Sequence, residues 1–198
     1  SFLLILAVTD WIVAGRAARD MLENQLKGTA NTAVENIPSI FEVGQSLISS
    51  MVEQDIPLQE KADLQAVLRT KIREIPFFTQ FFVFDLTGEP LTGYPTKAID
   101  QFRLTAEEEA AIDLALNGVL IQNYIIPPAG GEDSARVAFI ASIPDEYGLS
   151  RGVMIGRTSL SINLFTKPTL LSIESIKSAG GSGAILDMNN QVLFHTEP

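Results

Sequence analysis

The sequence predicts an α+β protein: a long N-terminal helix, a module built on one antiparallel sheet, and the start of a second such module. Three observations carry this prediction. Apolar positions recur at helical spacing through the first quarter of the chain. After Pro76 the period becomes alternating, interrupted by one helix with a capping box. The segment that follows Asp85 is echoed at Asp187, an offset of 187 − 85 = 102 residues.

From Asp10 to about Val52, the residues Leu22, Leu26, Ala30, Ala33, Ile37, Phe41, Leu47 and Met51 share one helical face. Pro38 lacks an amide donor, so a kink or a division is expected there. A second helix, Leu58 to Ile75, carries Ala62, Leu64, Val67, Leu68, Ile72 and Ile75 on one side and stops at Pro76. Gln80 to Asp85 reads as a strand that ends in the turn LTGE, with Leu91 to Tyr94 as its return. Thr105 and Glu108 have capping-box spacing and open a helix that closes at Gly118. Its three glutamates therefore read as acid at the positive end of a helix and not as a metal site.

Three strand-like runs follow, Leu120 to Ile126, Ser134 to Ile143 and Leu149 to Thr158, and the loops PPAGGED and PDEYG between them suit an antiparallel meander. A last amphipathic helix, about Leu160 to Lys177, leads through SAGGSG into AILDMNNQVLFHTEP. Asp85-x-x-Gly88-x-x-Leu91 and Asp187-x-x-Asn190-x-x-Leu193 share one spacing. Gly and Asn are the residues that most readily take positive φ, so both segments suit a tight hairpin. Each Asp then accepts hydrogen bonds from turn amides.

The domain reading follows: residues 1–15 end a transmembrane helix, 16–76 hold the long and second helices, 77–178 form the first sheet module, and 179–198 supply the first hairpin of another. The opening SFLLILAVTDWIVAG is strongly apolar, yet Phe2 to Val8 falls short of the roughly 20 residues that span a bilayer. A piece of a membrane anchor with Trp11 near the interface fits this, as does an ordinary buried helix. A secretory signal is disfavoured because no basic segment precedes the apolar run.

Composition narrows the chemistry. The 198 residues are 46% hydrophobic, enough to bury a core, and the net charge is −10. With no run of Lys and Arg, nucleic acid is not an expected partner. The chain has no Cys, which excludes disulfides, thiolate metal sites and a thiol nucleophile. Its one His is His195, and GGSGA around Ser182 lacks the second Gly of a nucleophile elbow and leads into a strand instead of a helix. Zinc, EF-hand and Walker spacings are absent. No catalysis, cofactor or metal is expected.

The order of these pieces, IPFFTQ, FVFDLTGEPLTGYP, a helix ending in NG, AFIASIPDEYG, RGVMIGRTSL and the late Asp187 hairpin, resembles the double Cache family of extracytoplasmic sensor domains in bacterial receptors. Ile143-Pro144 with Gly148, and Gly152 and Gly156 before Leu160, carry much of the likeness. The resemblance implies two PAS-like modules strung along one long helix, a small-molecule ligand in the distal one, a membrane-anchored homodimer in the full-length receptor, and a histidine kinase, chemoreceptor or cyclase output. Amino-acid-binding members carry an Arg-x-Trp-Tyr pattern and an Asp near the end of the last strand. This chain lacks the pattern, its only Trp is Trp11, and Arg157 stands where the Asp would be. An Arg cannot hold an ammonium, so an anionic ligand is expected over an α-amino acid.

Strand parity gives the candidate site. Val137, Phe139, Ala141 and Ile143 form the apolar set expected on the long helix, and Arg136, Ala138, Ile140 and Ser142 face the other way. Tyr124 and Gln122 would join them from the neighbouring strand, with Gly152 and Gly156 leaving space above the last strand. The ligand-binding residues expected are Tyr124, Arg136, Ser142 and Arg157. The plainer alternative is that the arginines are solvated, Tyr124 is a packed ring, and the chain is a structural or protein-binding extracellular module without a small-molecule ligand.

Overall fold

The computed structural model describes residues 2–54, 56–95, 103–128, 134–178, 181–187 and 189–197. Helix α1, Phe2–Val52, passes through Pro38 without a break, so the expected division is not found. Among the described residues no helix is long and apolar enough to cross a membrane. The distal part of α1 buries Ile40, Ile48 and Met51. Gly44 lies on the same stripe, and a Cβ there would sit 2.2 Å from Cζ of Phe139. Glycine in a helix interior costs about 1 kcal/mol relative to alanine. Here its bare backbone lets the Phe139 ring lie directly on the helix.

Helix α2, Lys61–Glu74, buries Leu64 and Leu68 and ends just before Ile75-Pro76, where a residue preceding proline is pushed out of the helical region. It starts later than its apolar pattern suggests. Leu58 lies outside it and packs toward Gly152. Beyond the helices come β1 (Gln80–Phe84), β2 (Pro90–Tyr94), helix α3 (Ala106–Leu116), β3 (Ile121–Ile126), β4 (Arg136–Pro144) and β5 (Ser150–Ser159). The five strands form one antiparallel sheet in the order β2-β1-β5-β4-β3. The expected meander β3-β4-β5 is present, and β1 closes onto β5. Helices α1 and α2 cover one face and α3 covers the other.

Helix α4 spans Lys167–Ser178, a later start than the expected Leu160. The cause is side-chain competition with the helical backbone pattern. Asn163 is buried, accepts from the Phe165 amide at 2.9 Å and donates to the Thr158 hydroxyl at 3.0 Å, while the Thr166 hydroxyl donates to the Leu160 carbonyl. The pair β6 (Ala184–Leu186) and β7 (Val192–His195) forms a separate two-stranded sheet. It is fastened to the larger one: the Ala135 amide donates to the Leu193 carbonyl at 2.6 Å, and Leu193 and Phe194 join the core beneath α1.

The same turn is built three times. Asp85, Asp145 and Asp187 each donate their amide to the residue four positions on, and each carbonyl accepts from the residue three positions on. Their Oδ1 atoms cap the turn: Asp85 accepts from the amides of Thr87 and Glu89, Asp145 from Tyr147 and Leu149, Asp187 from Asn189 and Gln191. Gly88, Gly148 and Asn190 occupy the left-handed position, with φ of 80°, 80° and 61°. A register shift accompanies each turn, as expected for three-residue hairpins closed by a bulge. The turns at Asp85 and Asp187 agree with expectation. The one at Asp145 is an addition.

Candidate functional site

The strand parity holds. Val137, Phe139, Ala141 and Ile143 lie in the core under α1, together with an aromatic group in which Phe77 and Phe78 meet Phe139 edge-on. Ala138 and Ile140 lie in the second core with Phe82, Phe84, Val153 and Ile155, beneath Ala111, Ile112 and Ala115 of α3. The space expected above Gly152 and Gly156 is not on the α3 side of the sheet and is not empty. A Cβ on Gly156 would meet the Phe78 ring at 2.8 Å, and one on Gly152 would meet the Phe84 carbonyl at 2.7 Å. These glycines admit close packing under α1 and α2. They make no room on the α3 face.

On that face one row of the sheet is polar. Tyr124 of β3 pairs with Ala138 of β4, which pairs with Arg157 of β5, which pairs with Gln80 of β1. Opposed residues of antiparallel strands project to the same side, so the small Ala138 separates the Tyr124 phenol from the Arg157 guanidinium. Arg157 is 4% exposed. Such a charge needs a partner, and it has one. Its Nε donates to Oε1 of Glu108 at 2.7 Å, its Nη2 donates to Oε2 of the same carboxylate, and Nη2 also reaches the Arg103 carbonyl at 3.0 Å. The guanidinium stands 5.4 Å from the centre of the Phe82 ring.

Glu108 is fully buried and does two jobs. The capping box expected from Thr105 and Glu108 is formed: the Glu108 amide donates to the Thr105 hydroxyl at 3.2 Å, and the Thr105 amide donates to Glu108 Oε2 at 2.9 Å. The carboxylate that closes the first turn of α3 therefore also binds that turn to β5. Next along the face, Tyr124 donates to Oε1 of Gln122 at 2.8 Å, and Gln122 Nε2 donates to the Ala111 carbonyl of α3 at 2.9 Å. Gln80 Oε1 is buried without a hydrogen-bond partner among the described residues.

Of the four expected site residues, the structure brings Tyr124 and Arg157 into one row. Half-buried Arg136 lies in the next row, between Ile126 and Ser159. Ser142 is on the same face but four residues along β4 from Ala138, roughly 13 Å at the usual strand rise. Glu108 and Gln80 are the members of this constellation that sequence reasoning passed over. The capping-box motif already marked Glu108, but nothing local connects it to a residue 49 positions away. Among the described residues no cluster of metal-ligating side chains occurs. Elsewhere, a groove of about 460 Å³ runs past Glu42, Gln45 and Glu53 beside Ile121 of β3, and one of about 420 Å³ lies on α2 against Tyr94.

No protein-family profile matches the chain, and no curated protein matches its sequence. Solved structures do share its fold. The ligand-binding domain of the Pseudomonas aeruginosa amino-acid chemoreceptor PctC, in complex with GABA, has a TM-score of 0.55 at 16% identity, over 90% of this chain and 74% of that one. The ligand-binding domain of the Campylobacter jejuni chemoreceptor Tlp3, in complex with L-norvaline, has a TM-score of 0.54 at 13% identity, over 90% and 70%. An extracellular ligand-binding receptor from Desulfohalobium retbaense has a TM-score of 0.51 at 16% identity, over 74% of this chain and 26% of that one. The chain thus has the α+β, PAS-like fold found in ligand-binding sensor domains.

Proposed function

We propose that the chain is the extracytoplasmic, ligand-sensing input domain of a bacterial transmembrane receptor of the double Cache type, and not an enzyme. In this reading residues 77–178 are the membrane-distal module and residues 179–198 open the membrane-proximal one. Residues 1–15 belong to a membrane-spanning helix, and the full-length receptor is a homodimer with a histidine kinase, chemoreceptor or cyclase output. The observation that carries the reading is the polar row Tyr124–Ala138–Arg157–Gln80 at one end of the apolar core beneath α3, with Gln122 and Arg136 in the rows beside it. Small-molecule sites usually have this form, mostly apolar with a few convergent polar groups. PctC and Tlp3, which share the fold, were solved with GABA and L-norvaline bound.

The ligand in this reading is a small anion held by Arg157 or Arg136 with help from Tyr124. Ser142 touches it only if the ligand extends along β4. The completeness of the Glu108–Arg157 pair favours a second reading, a structural or protein-binding module with no small-molecule ligand. A thermal-shift screen of organic acids, neutral compounds and cations separates the two, because a ligand bound only by the native state raises Tm. At a hundred times its Kd an organic acid adds about 2.7 kcal/mol, or roughly 5–11 °C for a domain of this size. Shifts from neutral or cationic compounds alone overturn the anionic ligand. No shift from any compound leaves the second reading.

A further inference from the structure

We infer that Glu108 is a tethered surrogate for the carboxylate of the ligand: it fills the bidentate position on Arg157, and an incoming carboxylate must displace it. This inference rests on the ligand-sensing reading above and deepens it. Three observations support it. The Glu108 carboxylate presents both oxygens to Nε and Nη2 of a guanidinium that is 4% exposed, the side-on geometry in which Arg binds a free carboxylate. The contact is made by a side chain of α3 to a strand 49 residues away, so it belongs to the docking of the helix and not to the sheet. Beside Arg157 in the same row, the buried Gln80 Oε1 has no donor among the described residues, an acceptor to which a hydroxyl or amine on the same ligand would donate.

The consequence is a coupling that the capping box makes specific. Oε2 of Glu108 serves both Arg157 and the Thr105 amide. When Glu108 leaves Arg157, the reciprocal cap loses its carboxylate half, and the first turn of α3 separates from β5. Binding of a carboxylate and release of the α3 N-terminus are then one event. The internal carboxylate also sets selectivity, since only a ligand that out-competes a tethered group enters, and apparent affinity falls by the fraction of time the latch is open.

The test uses the whole chain and two probes, acetate and malonate, against sodium chloride at equal ionic strength. Glu108→Gln removes the competing charge while keeping its shape. It should give a saturable thermal shift with malonate or acetate at concentrations at least tenfold below those needed by the wild type, and Arg157→Gln added to it should abolish the shift. In the wild type, hydrogen exchange at the Thr105 and Glu108 amides should quicken with the carboxylates and not with chloride, a measurement that needs no variant to fold. If Glu108→Gln is folded and shows no carboxylate shift beyond chloride, or if wild-type exchange at both amides is unchanged at saturation, the surrogate role is wrong. A screen hit that protects the fold while leaving both amides unchanged keeps the sensor reading and overturns only the exchange.

Discussion

The two faces of the five-stranded sheet are filled by different chemistry. Under α1 and α2 the filling is mainly apolar and none of the polar groups that interrupt it, the Gln45–Asn123 pair and Thr158, is charged; the fit is so close that Gly44 and Gly156 have no room for a methyl group. Under α3 a smaller apolar core gives way at one end to a row of Tyr124, Arg157 and Gln80, with a wholly buried carboxylate lowered onto it. A face that only stabilises has no use for charge, because replacing a buried ion pair by well-packed hydrophobic residues is often neutral or stabilising. Under the sensing proposal, the contrast makes the α1 face scaffold and the α3 face the place of selective chemistry.

The sharpest way to break this contrast is to unpair the charges. Glu108→Ala strands Arg157 in the interior and removes half of the capping box, and should cost about 3–5 kcal/mol in urea unfolding. The double variant Glu108→Leu with Arg157→Met should recover most of that stability, because an apolar pair replaces an ionic one, while losing any response to organic acids. If both variants are equally unstable, the pair is held by more than charge.

The scaffold face yields next. Gly44→Ala improves helix propensity but drives a methyl group into the Phe139 ring, and such overpacking should cost about 1–3 kcal/mol net. Adding Phe139→Leu should return part of the loss. A simple sum of the two single effects would show that the ring does not rest on that glycine.

The smallest effect lies outside both faces. The Thr87 hydroxyl at 2.6 Å, with the amides of Thr87 and Glu89, holds the Asp85 carboxyl below its ordinary value of 3.8. A depressed folded-state pKa means that this stabilisation is complete above the unfolded value and is lost as pH falls through the folded one. The Tm advantage of the wild type over Asp85→Asn should therefore be constant near neutrality and shrink below about pH 3.8. A difference that is flat with pH would remove the carboxylate from the turn.

Reading the residues in order reaches the scaffold more readily than the site. Alternation in β4 assigns Val137 through Ile143 to their faces because period two is a local property, and Thr105 with Glu108 announces a cap because the motif fits in four residues. The turn at Asp145 has the Asp-x-x-Gly core of the Asp85 turn, with Asn190 in the Gly position at Asp187, but it is followed by Arg151 where the other two have Leu91 and Leu193, so the longer match hides the shorter one. Gly152 and Gly156 are small, yet smallness does not say whether a ring or a ligand fills the space. The Glu108–Arg157 pair depends on strand register and helix placement together, and neither is written near either residue.

The most direct measurement is residue-level hydrogen exchange with and without a saturating ligand from the organic-acid screen. Changes should concentrate at Thr105 to Glu108 and along Tyr124, Ala138 and Arg157, with the Ile40 to Met51 stretch of α1 unaltered. Changes centred on α1 and the groove beside Ile121, with the α3 face unmoved, would contradict the proposal.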